Sequence, residues 1–385
     1  MSRRTITTKL DEVVAERRMT LKSDLENADS VSVTVDIWSD RQMRGFFGVT
    51  VHWLMTSADD SLSLKSALLA CSRFKGSHTG ERICEEFQQV CEDFKLRKKL
   101  DHIICDNAAN MKKAFTTCFP GQEEEEDLDD ADMWNDLSPE DQKRVDLFIM
   151  AKSECRMQCF AQTLQLVVRD GLKETRIVGA AIAKASRLSH ILHTSCSFKE
   201  MFECEFGQRG IPACIATRWN STFRQLKVVL NCDQLKLSRL LSDSGHKDTV
   251  FTAREWNQMK ELVHILQPFA EATDLTQGEK KVTISAVVPC ILSLNHHLEN
   301  EKGNMCYMGG SICSLQTSLQ RRFRGVFVNV RMVQESCDLQ SVPFSDPLYL
   351  KAALLDPSFG TMWLPHDVLV PENTKEAVSM MIKGM

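Results

Sequence analysis

The sequence contains no run near the about 18 consecutive apolar residues that a membrane-crossing helix needs, which argues against a helical span and a membrane partner. Its opening, "MSRRTITTKLDEVVAERR", has no apolar core, so it does not read as a secretory signal. A basic excess is also missing: 47 Lys and Arg stand against 52 Asp and Glu, a formal net charge of −5. Proteins that grip DNA along an extended surface displace phosphate counterions with surplus Lys and Arg, so a DNA-binding surface here has to be local. No cysteine or histidine precedes His52, which leaves no ligands for a zinc finger ahead of that point. No repeat of fixed period is evident. Fifteen cysteines are present, and without a secretory signal they read as reduced thiols, not as a disulfide framework.

What is present suits a globular chain: 385 residues, 43% hydrophobic and 26% charged, enough for two or three domains with substantial cores. Residues 8–27 mix charged and apolar positions at helical spacing. Three strand candidates follow at 31–38, 46–55 and 62–71, and their short connections predict an antiparallel meander. "SHTGERICEEFQQVCEDFKL" predicts a helix with the stripe Ile83, Phe87, Val90, Cys91 and Phe94. "LDHIICDN" reads as a strand covered on both faces, and "AANMKKAF" turns back into helix. The order β-β-β-α-β-α is an α/β pattern. The acidic run 121–142 has almost nothing to bury and reads as a solvated loop; it lacks the ligand spacing and turn glycine of an EF-hand. Beyond residue 142 the pattern is helical almost throughout.

One strand carries a chemical question. In "VTVDIWSD", residues 33–40, period-two alternation sends Val31, Val33, Val35 and Ile37 one way and Ser32, Thr34, Asp36 and Trp38 the other. A carboxylate on an interior strand must be solvated, hydrogen-bonded or bound to a cation. Asp36 therefore caps a backbone turn or ligates a metal. The fourth strand ends at Asp106, and ligand sites in α/β sheets gather at the carboxyl ends of strands. Were these two strands neighbours, both carboxylates could meet one cation.

Seven phrases in one order resemble the hAT-type transposases: "VTVDIWSD", "VTVHWL" at 49–54, "HTGERI" at 78–83, "ICDNAANM" at 104–111, "CFAQTLQLVVRDGL" at 159–172, "TRWNSTFRQL" at 217–226 and "AALLDPSF" at 352–359. Within that group the sequence is most similar to the zinc-finger BED domain-containing proteins, which "SRRTITTKLDE" near the start also resembles. The resemblance implies an α/β ribonuclease H-like fold, a mixed sheet with helices, interrupted by a large all-α insertion domain. It also implies two aspartates and a glutamate holding two divalent cations, one activating the attacking oxygen and one stabilising the leaving oxygen. Asp36 and Asp106 match the two aspartates, as catalytic residues and as ligands for Mg or Mn. The glutamate's serine-rich motif has no match; Glu372 and Glu376 are acids in unlike surroundings. Two carboxylates alone predict weak metal binding.

The segment beginning at Cys159 departs further. The family has Cys-x-x-His there, and this sequence has Gln162, which can neither ligate a soft metal nor carry a proton as histidine does. Cys155, Cys159, His190 and His193 have spacings that fit no standard finger, so no zinc is expected. Arg218 and Trp219 suit stacking on a displaced base, and Trp219 equally suits a core anchor at a helix start.

These features divide the chain into a helical lead-in at 1–29, a ribonuclease H-like domain at 30–174, an all-α insertion at 175–345 and a truncated C-terminal segment at 346–385. The expected function is that of a transposase-derived nuclear protein without catalysis, binding weakly to DNA for want of a BED finger and acting through self-association or a nuclear protein partner in transcription or chromatin regulation. The competing reading is a metal-dependent transposase or nuclease that uses Asp36 and Asp106, or a transposon remnant.

Overall fold

The computed structural model describes residues 3–40, 42, 44–56, 59–74, 80–105, 155–173, 176–207, 210–213, 219–277, 282–333 and 342–361. The acidic run 121–142, the helix expected at "AANMKKAF", Asp106, Arg218, Glu372 and Glu376 lie outside the described residues. The chain divides into two compact units, one of residues 1–159 with 279–282 and one of 160–278 with 283–385.

The first unit contains helix α1 (Arg3–Asn27), strands β1 (Val31–Ser39), β2 (Gly45–Thr56) and β3 (Leu62–Phe74), helix α2 (Gly80–Asp93), and strands β4 (Leu100–Cys105) and β5 (Cys155–Gln158). The sheet order is β3-β2-β1-β4-β5. The meander β1–β3 is antiparallel, as the short connections require. β4 pairs parallel with β1 on one side and with β5 on the other. Alternation decides which face is dry: Val31, Val33 and Val35 of β1, Phe47, Val49, Val51 and Trp53 of β2, and Ile103 of β4 bury together with Phe87, Cys91 and Phe94 of the α2 region and Leu25 of α1. The carboxyl end of α1 is fastened by Lys99, whose ammonium donates to the carbonyls of Leu25 at 3.1 Å and Ala28 at 2.7 Å as well as Glu26. Cations at a helix C-terminus satisfy carbonyls that have no partner within the helix.

Two boundaries differ from the sequence reading. α1 starts at Arg3 and not at residue 8, because Thr5, Thr7 and Thr8 do not break the helix: Thr7 and Thr8 turn their hydroxyls back to the carbonyls four residues earlier. Strand β5 falls where a helical run was expected to begin. Four residues are too few to display a period, and the parallel ladder to β4 supplies the pairing that local pattern does not.

In the second unit the described elements are all helical. The α-helices are α3 (Phe160–Lys173), α4 (Gly179–Thr194), α5 (Cys196–Phe206), α6 (Trp219–Leu230), α7 (Gln234–Asp243), α8 (Ala253–Thr276), α9 (Val287–Glu301), α10 (Gly309–Arg322), α11 (Arg324–Asn329) and α12 (Leu348–Leu355). Phe198, Phe202, Phe269, Phe323 and Phe327 are fully buried, and Trp256 joins the core at 4% exposure. α8 is the long member. It opens with a capping box in which Thr252 and Glu255 satisfy each other's backbone N–H, and Lys184 of α4 reaches the same Glu255 carboxylate at 2.8 Å. α3 meets α10 closely, for a Cβ on Gly171 would stand 2.3 Å from Leu315 Cγ. The same pair of helices is bound by Asp170, whose Oδ2 accepts from Ser318 Oγ at 2.6 Å and from the guanidinium groups of Arg321 at 2.9 Å and Arg322 at 2.8 Å.

Candidate metal and nucleic-acid site

β1 is an interior strand, flanked by β2 and β4, and its polar face is the site's foundation. Val35 is buried, whereas Asp36, the next residue, is exposed on the opposite face. Asp36 is opposite Gly48 of β2. Toward β4 the last paired residues are Val35 and Cys105, so Asp36 stands one position beyond that ladder's end. Asp106 follows Cys105 in the chain and lies outside the described residues. The strand adjacency that a shared cation needs is thus present at β1 and β4.

The β2 side of Asp36 is walled by aromatics. Trp38, two residues on and on the same face, stacks on its cross-strand partner Phe46 with ring centroids 5.7 Å apart and planes 15° from parallel. The indole extends over Gly48: a Cβ there would come within 2.7 Å of Trp38 Cζ3. Glycine in mid-strand often marks such a close approach. The sequence places Trp38 beside Asp36, but Phe46 and Gly48 escaped it. A glycine inside the strand run "FFGVTV" was the available signal.

The second aspartate of "VTVDIWSD" is occupied elsewhere. Asp40 accepts from the backbone N–H of Gln42 at 3.0 Å and of Arg44 at 2.9 Å, and from the Arg44 guanidinium, which closes the β1–β2 turn. The Arg44 side-chain bond is foremost in holding this carboxyl below the ordinary carboxylate range. Asp36, four residues earlier, is exposed on the strand's polar face. Its carboxylate oxygens are hard donors on a water-accessible face with Ser32 and Thr34, a donor chemistry that fits Mg or Mn and not a soft metal.

The remaining candidates belong to the helical unit or its threshold. Trp219 is 9% exposed at the start of α6, edge-on to Phe223 with centroids 6.1 Å apart, and its indole Nε1 has no hydrogen-bond partner among the described residues. It sits as a core anchor. Cys159 is half-buried, while His190 and His193 are exposed on α4, where His193 Nδ1 lies 2.6 Å from the Ser189 carbonyl. Among the described residues no three His, Cys, Asp or Glu side chains gather as a metal site. Gln162 sits on α3 with its carbonyl oxygen buried and without a partner among the described residues.

Comparison with known proteins adds to this geometry. Residues 34–124 match the family described as the ZBED1 RNase-like domain, and residues 157–265 match the ZBED1 RNase-like helical domain. The chain is 25% identical over 276 residues to the putative AC transposase of Zea mays, covering 70% of this chain and 31% of that protein. It is 25% identical over 337 residues to the putative transcriptional regulator tpeD of Talaromyces stipitatus, covering 82% of this chain and 38% of the relative. Zinc finger BED domain-containing protein 4 of Homo sapiens is 21% identical over 349 residues, 88% of this chain and 25% of the relative. The chain therefore spans a quarter to two fifths of the length of these relatives. A mixed five-stranded sheet in the order seen here, with the RNase-like match over strands β1 to β4, fits an α/β fold of the ribonuclease H-like kind.

Proposed function

The chain belongs to the transposase-derived family that includes the hAT transposases and the zinc finger BED domain-containing proteins, and from that premise we propose that it acts in the nucleus by binding, with its sheet unit carrying an inherited divalent-cation site that does not cut DNA. The observation that carries the reading is Asp36: an exposed carboxylate on the polar face of the interior strand, one residue past the end of the parallel ladder to β4. Asp36 and Asp106 would hold Mg or Mn weakly, and the cation would supply charge to orient a phosphate group. Asp36 would fix that ion against the sheet, while the Trp38–Phe46 stack limits water on the β2 side. The helical unit corresponds to the all-α insertion of the family.

Two features favour binding over cleavage. Gln162 stands where the family has histidine, so the proton-carrying or ligating group of that position is replaced by a neutral amide. The net charge of −5 provides no global attraction for DNA, which suits a protein recruited to chromatin through partners. The similarity to a putative transcriptional regulator across most of the chain supports the regulatory role. The test is Mn titration followed by electron paramagnetic resonance, together with incubation of labelled duplex DNA and Mg. Weak Mn binding that disappears in Asp36→Ala and in Asp106→Ala, with uncut DNA throughout, is expected. Mn binding unaffected by Asp36→Ala would overturn the cation site. Cleavage lost in Asp36→Ala would replace the binding reading with the nuclease one.

A further inference from the structure

Paired arginines occur at three places in the chain, 3–4, 17–18 and 321–322. At the second the run is Arg17-Arg18-Met19-Thr20-Leu21, a hydroxyl residue with two arginines ahead of it and an apolar residue after it. Protein kinases that select by charge accept such a run, because guanidinium groups three and two residues before the hydroxyl meet carboxylates in the kinase cleft. Thr5, Thr7, Thr8 and Ser23, the other hydroxyl residues of α1, lack the arginine pair at that spacing. The helix favours the same residue. Every residue from Arg3 to Thr20 is exposed, and Leu21 is the first to be partly covered. A kinase cleft takes its substrate extended, so α1 has to open around Thr20. A helical stretch without tertiary packing is marginal in water, so that opening costs little. The Arg18 guanidinium does reach the unit, 2.7 Å from Asp93 and 4.9 Å from the Phe94 ring centre. Side chains 45% and 39% exposed make a weak pair.

We propose that Thr20 is a phosphorylation site for an arginine-directed protein kinase, and that its phosphate unwinds the exposed part of α1. In the transfer the Thr20 Oγ1 attacks the γ-phosphorus of ATP, the bond to the bridging β-phosphate oxygen breaks and ADP leaves. The hydroxyl proton passes to the carboxylate base of the kinase. The unmodified hydroxyl supports the helix by donating to the Glu16 carbonyl at 3.1 Å, and the phosphate ester has no such proton to give. Glu16 and Asp24 stand four residues before and after Thr20, on the same side of the helix. A phosphate of charge about −2 at residue 20 is therefore set between two carboxylates, and like charges at that spacing oppose the helix. Arg17, three residues back, offsets one of these repulsions. Beyond Leu21 the helix is anchored by Leu25, which is 1% exposed, so the unwinding stops there. Modification thus converts a rigid lead-in into a loose one without touching the sheet. The site is independent of the cation reading, since no residue of the sheet takes part.

The test incubates the full chain with ATP and the catalytic subunit of a cyclic-AMP-dependent protein kinase, and maps phosphate by mass spectrometry. Phosphate on Thr20 is expected, and its loss from α1 in Thr20→Ala. Arg17→Ala probes recognition cleanly, because Arg17 is exposed and has no ion-pair or hydrogen-bond partner among the described residues. It should lower kcat/KM for phosphorylation of the chain by about tenfold, the worth of one charge-assisted contact in the kinase cleft. The phosphorylated chain should lose helical signal in far-ultraviolet circular dichroism, and hydrogen exchange should place the loss before Leu21. Glu16→Gln combined with Asp24→Asn should retain most of that signal after phosphorylation, since it removes both flanking charges. Absence of phosphate from Thr20, or a rate indifferent to Arg17→Ala, would overturn the site. A phosphorylated chain whose α1 signal is unchanged, or is lost equally in the doubly neutralised variant, would overturn the unwinding.

Discussion

Replacing Asp170 should damage the helical unit out of proportion to one side chain. Its carboxylate is 16% exposed and joins α3 to α10 through Ser318, Arg321 and Arg322, with Lys173 at 3.4 Å from the other oxygen. Arg321 is 66% exposed and its share is small. Arg322 is only 13% exposed, so truncation strands a guanidinium that water reaches poorly. Removing one partner of a fully buried pair costs about 3–5 kcal/mol; for this partly covered pair about 2–3 kcal/mol is reasonable for Asp170→Ala. In a unit of this size that corresponds to a fall in Tm of about 4–12 °C, read by differential scanning calorimetry. Arg322→Met added to Asp170→Ala should recover part of the loss, because it removes the stranded charge. Acid supplies a second arm. Burial pushes the Asp170 carboxyl up, but the Ser318 and Arg322 bonds and the charges of Arg322 and Lys173 outweigh it and hold the group below its ordinary 3.8. A carboxylate depressed on folding stabilises fully above its unfolded value and loses that contribution as pH falls through its folded one. The Tm gap between wild type and Asp170→Asn should therefore be constant at neutral pH and close below about pH 4. A fall under 1 °C for Asp170→Ala, or a double variant worse than the single, would refute the reasoning.

Gly48→Ala should expel the Trp38 indole from its seat over β2, seen as a changed tryptophan emission spectrum and a loss of about 1–3 kcal/mol in the sheet unit; unchanged emission would show that the ring can shift aside without cost. The Cys290 thiol is pushed up to about 11 by burial, so alkylation at pH 8 should modify Cys196, Cys204 and Cys313, which are exposed, well before Cys290. Mass spectrometry of a time course would reveal the order, and early labelling of Cys290 would contradict its burial.

The legible parts of this fold were those written in short periods. Alternation in Val31, Val33 and Val35 placed β1 and put Asp36 on the polar face, whereas "LDHIICDN", read as a strand covered on both faces, has Ile103 buried and Ile104 only half-buried. The strand order left the adjacency of β1 and β4 conditional, the family resemblance favoured it, and the sheet pairs the two. What escaped depends on partners distant in sequence. Strand β5 owes its form to a ladder with β4, and the Trp38–Phe46–Gly48 packing depends on the turn that Asp40 and Arg44 close. Trp219 fitted a core anchor and a stacking platform equally, since a tryptophan at a helix start satisfies both until its surroundings are known. The sequence also marked 8–27 as helical without revealing that residues 8–20 would be exposed.

The sheet's mixed pairing has a consequence for how the chain folds. β1, β2 and β3 are consecutive and joined by short turns, so their ladders close cheaply and early. The β4–β5 ladder joins His102 to Cys155, 53 positions apart, and has only four residue pairs to reward that closure. Assembly is thus staged: the meander offers β1 as a template, β4 adds to it with α2 packed behind, and β5 arrives last. A nascent chain leaving the ribosome would hold a free β4 edge until residue 158 emerged. That edge is a waiting site for any extended strand, from the same molecule or another, and the interval before β5 docks is when this protein is most exposed to mispairing.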